Sequence, residues 1–157
     1  NHWVEEGWSV RSTIDALLAE FRDFEPTARS ILMATPPDQC FKWGIFDRDP
    51  LPAWSTGRVA LLGDAAHPTT PFLGQGAAIA LEDGMVLARA IAAAGSVAEA
   101  LARYEKARVA RANGVLLASR ENGLSLTTTD PDDYDEETHR NEESLDLASY
   151  DAMTVPV

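Results

Sequence analysis

Residues 58–84 read RVALLGDAAHPTTPFLGQGAAIALEDG and set an apolar run, a carboxylate and a glycine-flanked helix start within 27 positions. Val59, Ala60, Leu61 and Leu62 lie between Arg58 and Gly63, a run too short for a helix and suited to a strand buried on both faces. Asp64 follows at once. Its side chain only accepts hydrogen bonds at neutral pH, and it stands where open α/β sheets hold their ligands, outside the carboxyl end of a strand. A hydroxyl-rich ligand would suit it. Pro68 and Pro71 remove two backbone donors and predict a short, rigid loop. Gly74-Gln75-Gly76 then lets the backbone approach a ligand without Cβ obstruction, and the helix formers of residues 77–94 predict a helix. Unpaired amides at its start favour an anionic or electron-rich group, and Ala77, Ala78 and Ala80 leave room for a flat ring or another helix.

Spacing alone leaves two readings open. A strand, a proline-rich turn and an alanine-rich helix also occur in α/β proteins with no ligand there, and Gly-x-Gly by itself is a weak signal. A phosphate loop of the Walker type is disfavoured, because no Gly-Lys-Ser/Thr follows the glycines. His67 fits structural packing and hydrogen bonding better than general-base work. Glu82 and Asp83 are adjacent on the helix and so point to different faces, which suits capping or salt bridges rather than acid chemistry. Trp43 and Trp54 read as core or domain-interface residues, and Thr69 and Thr70 receive no role.

Around this stretch the organisation is coarse. Residues 12–24 predict an amphipathic helix with Ile14, Leu17, Leu18 and Phe21 on one face and Ser12-x-x-Asp15 as a capping box. Pro26 starts a second helix that ends before Pro36-Pro37. Residues 41–46 and 58–62 read as strands, and two strands alone make a poor sheet. After the glycines, a helix over 76–94 closes at Gly95; Ser96 caps a further helix that reaches about Asn122 and closes at Gly123. The two helices form a hairpin, with Glu99 and Arg103 as an exposed i,i+4 pair.

Charge is uneven. Residues 124–157 hold ten acidic side chains against Arg140 alone, so nine of the twelve net negative charges lie there. Residues 127–143 read as a solvated end, whereas Leu147, Tyr150, Met153 and Val155 give residues 145–157 enough apolar surface to dock back. A pI near 4.5 argues against nucleic acid as a partner, the basic residues between Arg103 and Arg120 being spread along a helix. No apolar run reaches the ~18 residues of a membrane span. The lone Cys40 rules out an internal disulfide, and without a Cys/His cluster no metal site is expected. A cytoplasmic setting is the simplest inference.

The string from Gly57 to Gly84 closely resembles the second FAD-binding motif of class A flavoprotein aromatic hydroxylases, and GQGAA-x-A-x-ED is most similar to their salicylate and 6-hydroxynicotinate hydroxylase branch. FKWGIFDRDPLPAW at 41–54 and YEKARVAR at 104–111 extend the likeness over about residues 7–123, and Tyr150-Asp151-Ala152 is similar to the ends of salicylate-hydroxylase relatives. The resemblance implies an α/β fold, the carboxyl-terminal portion of a Rossmann-like, 4-hydroxybenzoate hydroxylase-like FAD-binding fold. It implies that residues 1–54 end the substrate domain and return as a strand, that 55–95 form the FAD motif, 96–123 a C-terminal helix and 124–157 an acidic tail. Asp64 would hydrogen-bond the ribityl chain of FAD. Gly74, Gln75, Gly76 and Ala77 would present amides to the pyrimidine end of the flavin ring, where a helix N-terminus stabilises the negative charge of reduced flavin. Pro71 would lie beside the ring and Phe72 would border an aromatic substrate; no side chain is expected to be catalytic.

By the same resemblance the parent is a monooxygenase that uses FAD, NADH or NADPH, and O2 on a small aromatic substrate. No GxGxxG opens a βαβ unit, so the pyrophosphate half of the FAD domain is expected upstream, and the isolated chain is expected to bind FAD weakly or not at all. Three rivals stay open: a halogenase or reductase with a similar second motif, a flavin-free helical adaptor, and a fragment with no function of its own.

Overall fold

Thr13, one residue later than expected, caps the first helix. A computed structural model describes residues 6–127 and 145–157, which fall into two units, 1–45 and 46–157. In the first unit, β1 (Ser9–Arg11) leads to α1 (Ile14–Glu20), where the Thr13 hydroxyl accepts from the Ala16 amide at 3.1 Å. Helix α1 stops at Glu20, short of residue 24, and the rings of Phe21 and Phe24 meet edge to face at 4.8 Å. Ile14, Leu17, Leu18 and Phe21 form its half-covered side, as the helical spacing predicts. Helix α2 (Pro26–Met33) starts at the proline, with the Glu25 carboxylate accepting from the amides of Thr27 and Ala28.

Strand β2 (Phe41–Trp43) pairs antiparallel with β1, Ser9 opposite Trp43 and Arg11 opposite Phe41. It ends three residues before Phe46. Trp43 is 64% exposed and meets Trp8 edge to face at 4.9 Å, so within its unit it is not a core residue. Cys40 is buried as a free thiol.

In the second unit, β3 (Ser55–Thr56) and β4 (Val59–Ala60) form a two-residue hairpin around Gly57, whose φ is +59°. Burial on both faces is not what this strand shows: Val59 is 63% exposed, because its pairing is so brief and only Ala60 and Leu61 meet the core. Helix α3 (Gly76–Ala93) turns through Ala94, Gly95 and Ser96 into α4 (Val97–Leu126), the Ser96 hydroxyl accepting from the Glu99 amide. The predicted hairpin is therefore present. Its core joins Trp54, Ile79, Val86, Ala90, Tyr104, Ala112 and Val115, with Leu147, Ala152, Val155 and Val157 packed against it.

Gly123 does not end α4, which runs on to Leu126. A Cβ there would stand 2.5 Å from two ring carbons of Phe72, so this glycine makes room for a ring rather than for a turn. Residues 145–157 dock back as their apolar content predicts, although Met153 stays 60% exposed. The expected solvated stretch lies outside the described residues, apart from Thr127 at the end of α4.

Candidate functional site

Gly63 adopts φ +59°, a left-handed conformation that glycine reaches without strain, and opens a single 3₁₀ turn, Gly63–Ala65. The turn leaves Asp64 exposed, and among the described residues no hydrogen bond or ion pair engages its carboxylate. The loop then passes Pro68 to a second 3₁₀ turn, Pro71–Leu73, and Gly74 reverses it at φ +65° into α3. Arg48 braces the first turn, its guanidinium donating to the carbonyls of Ala65 and Ala66. Ser119 on α4 braces the loop, donating to the Thr70 carbonyl at 2.7 Å and lying 2.9 Å from the Thr70 hydroxyl.

These turns frame an open cleft of about 500 Å³. Asp64, Pro71, Gly74, Gly76 and Ala77 line it, all expected from the sequence, and Thr69, Thr70 and Ala80 complete it. A Cβ on Gly76 would come within 3.1 Å of the Thr69 hydroxyl, so a side chain at the helix start would press on the loop. Gln75 sits at the N-cap without a side-chain cap, so the first amides of α3 are left for another acceptor; its own amide group donates to the Leu73 carbonyl at 3.4 Å. Neither Gln75 nor Phe72 lines the cleft, and the Phe72 ring lies on Gly123.

Behind the cleft lies a buried ion cluster. Asp83 Oδ2 accepts from the Gly63 amide at 3.1 Å and lies 2.5 Å from His67 Nε2, while Oδ1 accepts from Arg108 Nε at 2.7 Å. All three side chains are fully buried. Burial pushes the Asp83 carboxyl up, but hydrogen bonds from His67, Arg108 and the Gly63 amide, together with the nearby imidazole, bring it below the ordinary Asp value. His67 thus has the structural role expected of it, its ring 5.2 Å from that of Trp54. Glu82 and Asp83 do serve in salt bridges, but both meet Arg108: the guanidinium reaches Glu82 through Nη2 at 2.7 Å. Adjacent helical residues share a partner when that partner is long enough to span both faces.

Tyr104 donates to the Leu61 carbonyl at 3.1 Å, and burial, with the Asp83 charge, pushes its phenol well above the usual value. Thr69, Thr70, Arg48 and Arg108 carry no local signal as site residues. Only the α3–α4 hairpin, once formed, brings Arg108 and Ser119 to the motif.

A left-handed turn with an exposed carboxylate faces an uncapped helix start across a small-residue cleft, an arrangement that offers an acceptor at one end and backbone donors at the other. Residues 26–119 match the family model described as FAD binding domain, and the chain belongs to that family. It is 39% identical over 130 residues to 6-hydroxynicotinate 3-monooxygenase of Pseudomonas fluorescens, covering 82% of this chain and 33% of the relative. The 6-hydroxynicotinate 3-monooxygenase of Bordetella bronchiseptica is 41% identical over 125 residues, 78% of this chain and 32% of its own length. A solved salicylate hydroxylase substrate complex aligns at TM-score 0.80 and 28% identity, over 97% of this chain and 39% of that one. The resemblance to the salicylate and 6-hydroxynicotinate hydroxylase branch is borne out, as is the portion of a Rossmann-like FAD-binding fold. The chain spans about a third of the length of the curated relatives it matches.

Proposed function

We propose that this chain supplies the ribityl and ring end of an FAD site in a monooxygenase that hydroxylates a small aromatic substrate with NADH or NADPH and O2. One observation carries the reading: the exposed Asp64 carboxylate and the uncapped start of α3 line the same cleft. The residues present fit the cofactor. Asp64 would accept from ribityl hydroxyls, and the amides of Gly76 and Ala77 would serve the electron-rich pyrimidine end, where the helix dipole favours negative charge. Gly74 lets the backbone turn, and Pro71 offers a flat apolar edge without a donor. Gln75 contributes its backbone alone. Phe72 carries the turn through its contact with Gly123, and its remaining exposed edge is what it would offer an aromatic substrate.

When bound, flavin supplies the redox and oxygen chemistry. This chain's residues bind, orient and stabilise charge, and none acts as nucleophile or base. The division into a substrate-domain end (1–54), FAD motif (55–95), C-terminal helix (96–123) and acidic tail (124–157) belongs to the same proposal. So does a cytoplasmic setting, which a need for reduced nicotinamide supports. Separately, among the described residues no helix is long and apolar enough to cross a membrane.

The test is made in a protein of the relatives' length that carries this chain. An aromatic acid should accelerate NADH or NADPH oxidation with matching O2 uptake and a hydroxylated product. Flavin reduction without O2 uptake into product would point instead to a reductase.

A further inference from the structure

Residues 145–157 are held by more than apolar packing. Arg89 donates to the Ala152 carbonyl at 2.9 Å, Arg103 to that of Val157 at 3.4 Å, and Arg111 to those of Leu145 and Asp146 at 3.1 and 3.3 Å. Three arginines on two helices thus grip one short backbone segment. In the midst of them the Tyr150 ring lies 4.2 Å from the guanidinium carbon of Arg111 and 5.0 Å from that of Arg108.

Arg108 is no surface cation. It is fully buried and leads inward to Asp83, and Asp83 leads to the Gly63 amide. Gly63 immediately precedes Asp64 and sets the left-handed turn that presents it to the cleft. Every link is a contact between buried or half-buried groups, where polar networks orient one another strongly and a freed member is costly. A guanidinium plane held against an aromatic face is confined in both position and tilt. Glu82 and the Ile79 carbonyl hold the guanidinium at Nη2 and the ring confines its tilt, so that without the ring the bond from Nε to Asp83 Oδ1 loosens.

We propose that Tyr150 is a positioning residue for the cleft: its ring orients Arg108, Arg108 orients Asp83, and Asp83 holds the Gly63 amide that sets Asp64. The inference rests on the functional reading only in taking the cleft as the ligand site. The C-terminal segment therefore helps shape a site that none of its own atoms line.

The Gly63 amide proton is the direct reporter, followed by NMR-detected hydrogen exchange in the full chain without flavin. Tyr150→Ala should raise Gly63 exchange by about tenfold relative to amides in the middle of α3. Tyr150→Phe, which keeps the ring face, should restore it to within about twofold of the unmutated chain. Met153→Ala, an exposed change on the same segment, should leave it unaltered. Unchanged Gly63 exchange in Tyr150→Ala, or a rise equal to that at Val86 and Ala90, overturns the proposal; if Tyr150→Ala does not fold, Tyr150→Leu is read by the same criteria. Selective exchange at Gly63, together with no flavin binding by a protein of the relatives' length that carries this chain, would overturn the functional reading and leave this inference standing.

Discussion

Asp83 ties together three parts of the scaffold behind the cleft. Its carboxylate, fully buried, joins the Gly63 turn, His67 and Arg108. Asp83→Asn leaves Arg108 partly uncompensated, and breaking a buried pair of this kind costs about 3–5 kcal/mol, measurable by urea denaturation. The pH dependence has a definite sign. Because the folded carboxyl titrates below its ordinary value near 3.8, its stabilising effect is fully present above that value and disappears as pH falls through the folded one. The urea midpoint should therefore drop steeply below about pH 4 in the unmutated chain and less so in Asp83→Asn. Gly123→Ala tests a different contact. Helix propensity alone would favour the alanine by ~1 kcal/mol, but its Cβ would overlap the Phe72 ring, so a net loss of about 1–3 kcal/mol and a shifted Phe72 ring resonance are expected. At this scale the sequence was legible where the signal was local. Asp64, Gly74 and Gly76 declare themselves by position, whereas Gly123 looks like a helix stop, since nothing nearby in sequence reveals the ring that needs its space.

Elements were legible where caps and periodicity agreed. Pro26 and Ser96 start helices, and small residues after Gly76 build α3, all through contacts within a few positions. The strands were harder. Val59 to Leu62 reads as a doubly buried strand by composition, yet it pairs for two residues in a hairpin, because burial of a strand depends on neighbours that its own sequence does not name. The hairpin is secured instead from α4. Glu105 accepts from the amides of Trp54 and Ser55 and from the Ser55 hydroxyl at 2.6 to 3.0 Å, and these bonds, led by that of the hydroxyl, hold its carboxyl below the ordinary Glu value. Glu105→Ala leaves two amides without their acceptor and should cost about 1–3 kcal/mol, with faster hydrogen exchange at Ser55. Glu105→Gln keeps one carbonyl acceptor and should lose less.

For the molecule as a whole, the candidate site was more legible than the scaffold that holds it. Five of the expected cofactor residues line one cleft because they lie within 14 positions of each other, and short-range geometry brings them together. The supports come from far along the chain: Arg48 before the motif, Arg108 and Ser119 on α4, and Tyr150 near the end. No periodicity links such residues, and only the packed hairpin does. The central claim is that the cleft takes the ribityl and ring end of FAD. Its most direct test is an NMR titration of this chain with FAD, following amide resonances. Weak, saturable shifts should centre on Asp64, Gly76, Ala77 and Ala78, and Asp64→Ala should lower the affinity by about tenfold, the loss of a charged hydrogen-bond acceptor. Shifts centred elsewhere, or an affinity unaffected by Asp64→Ala, would contradict it.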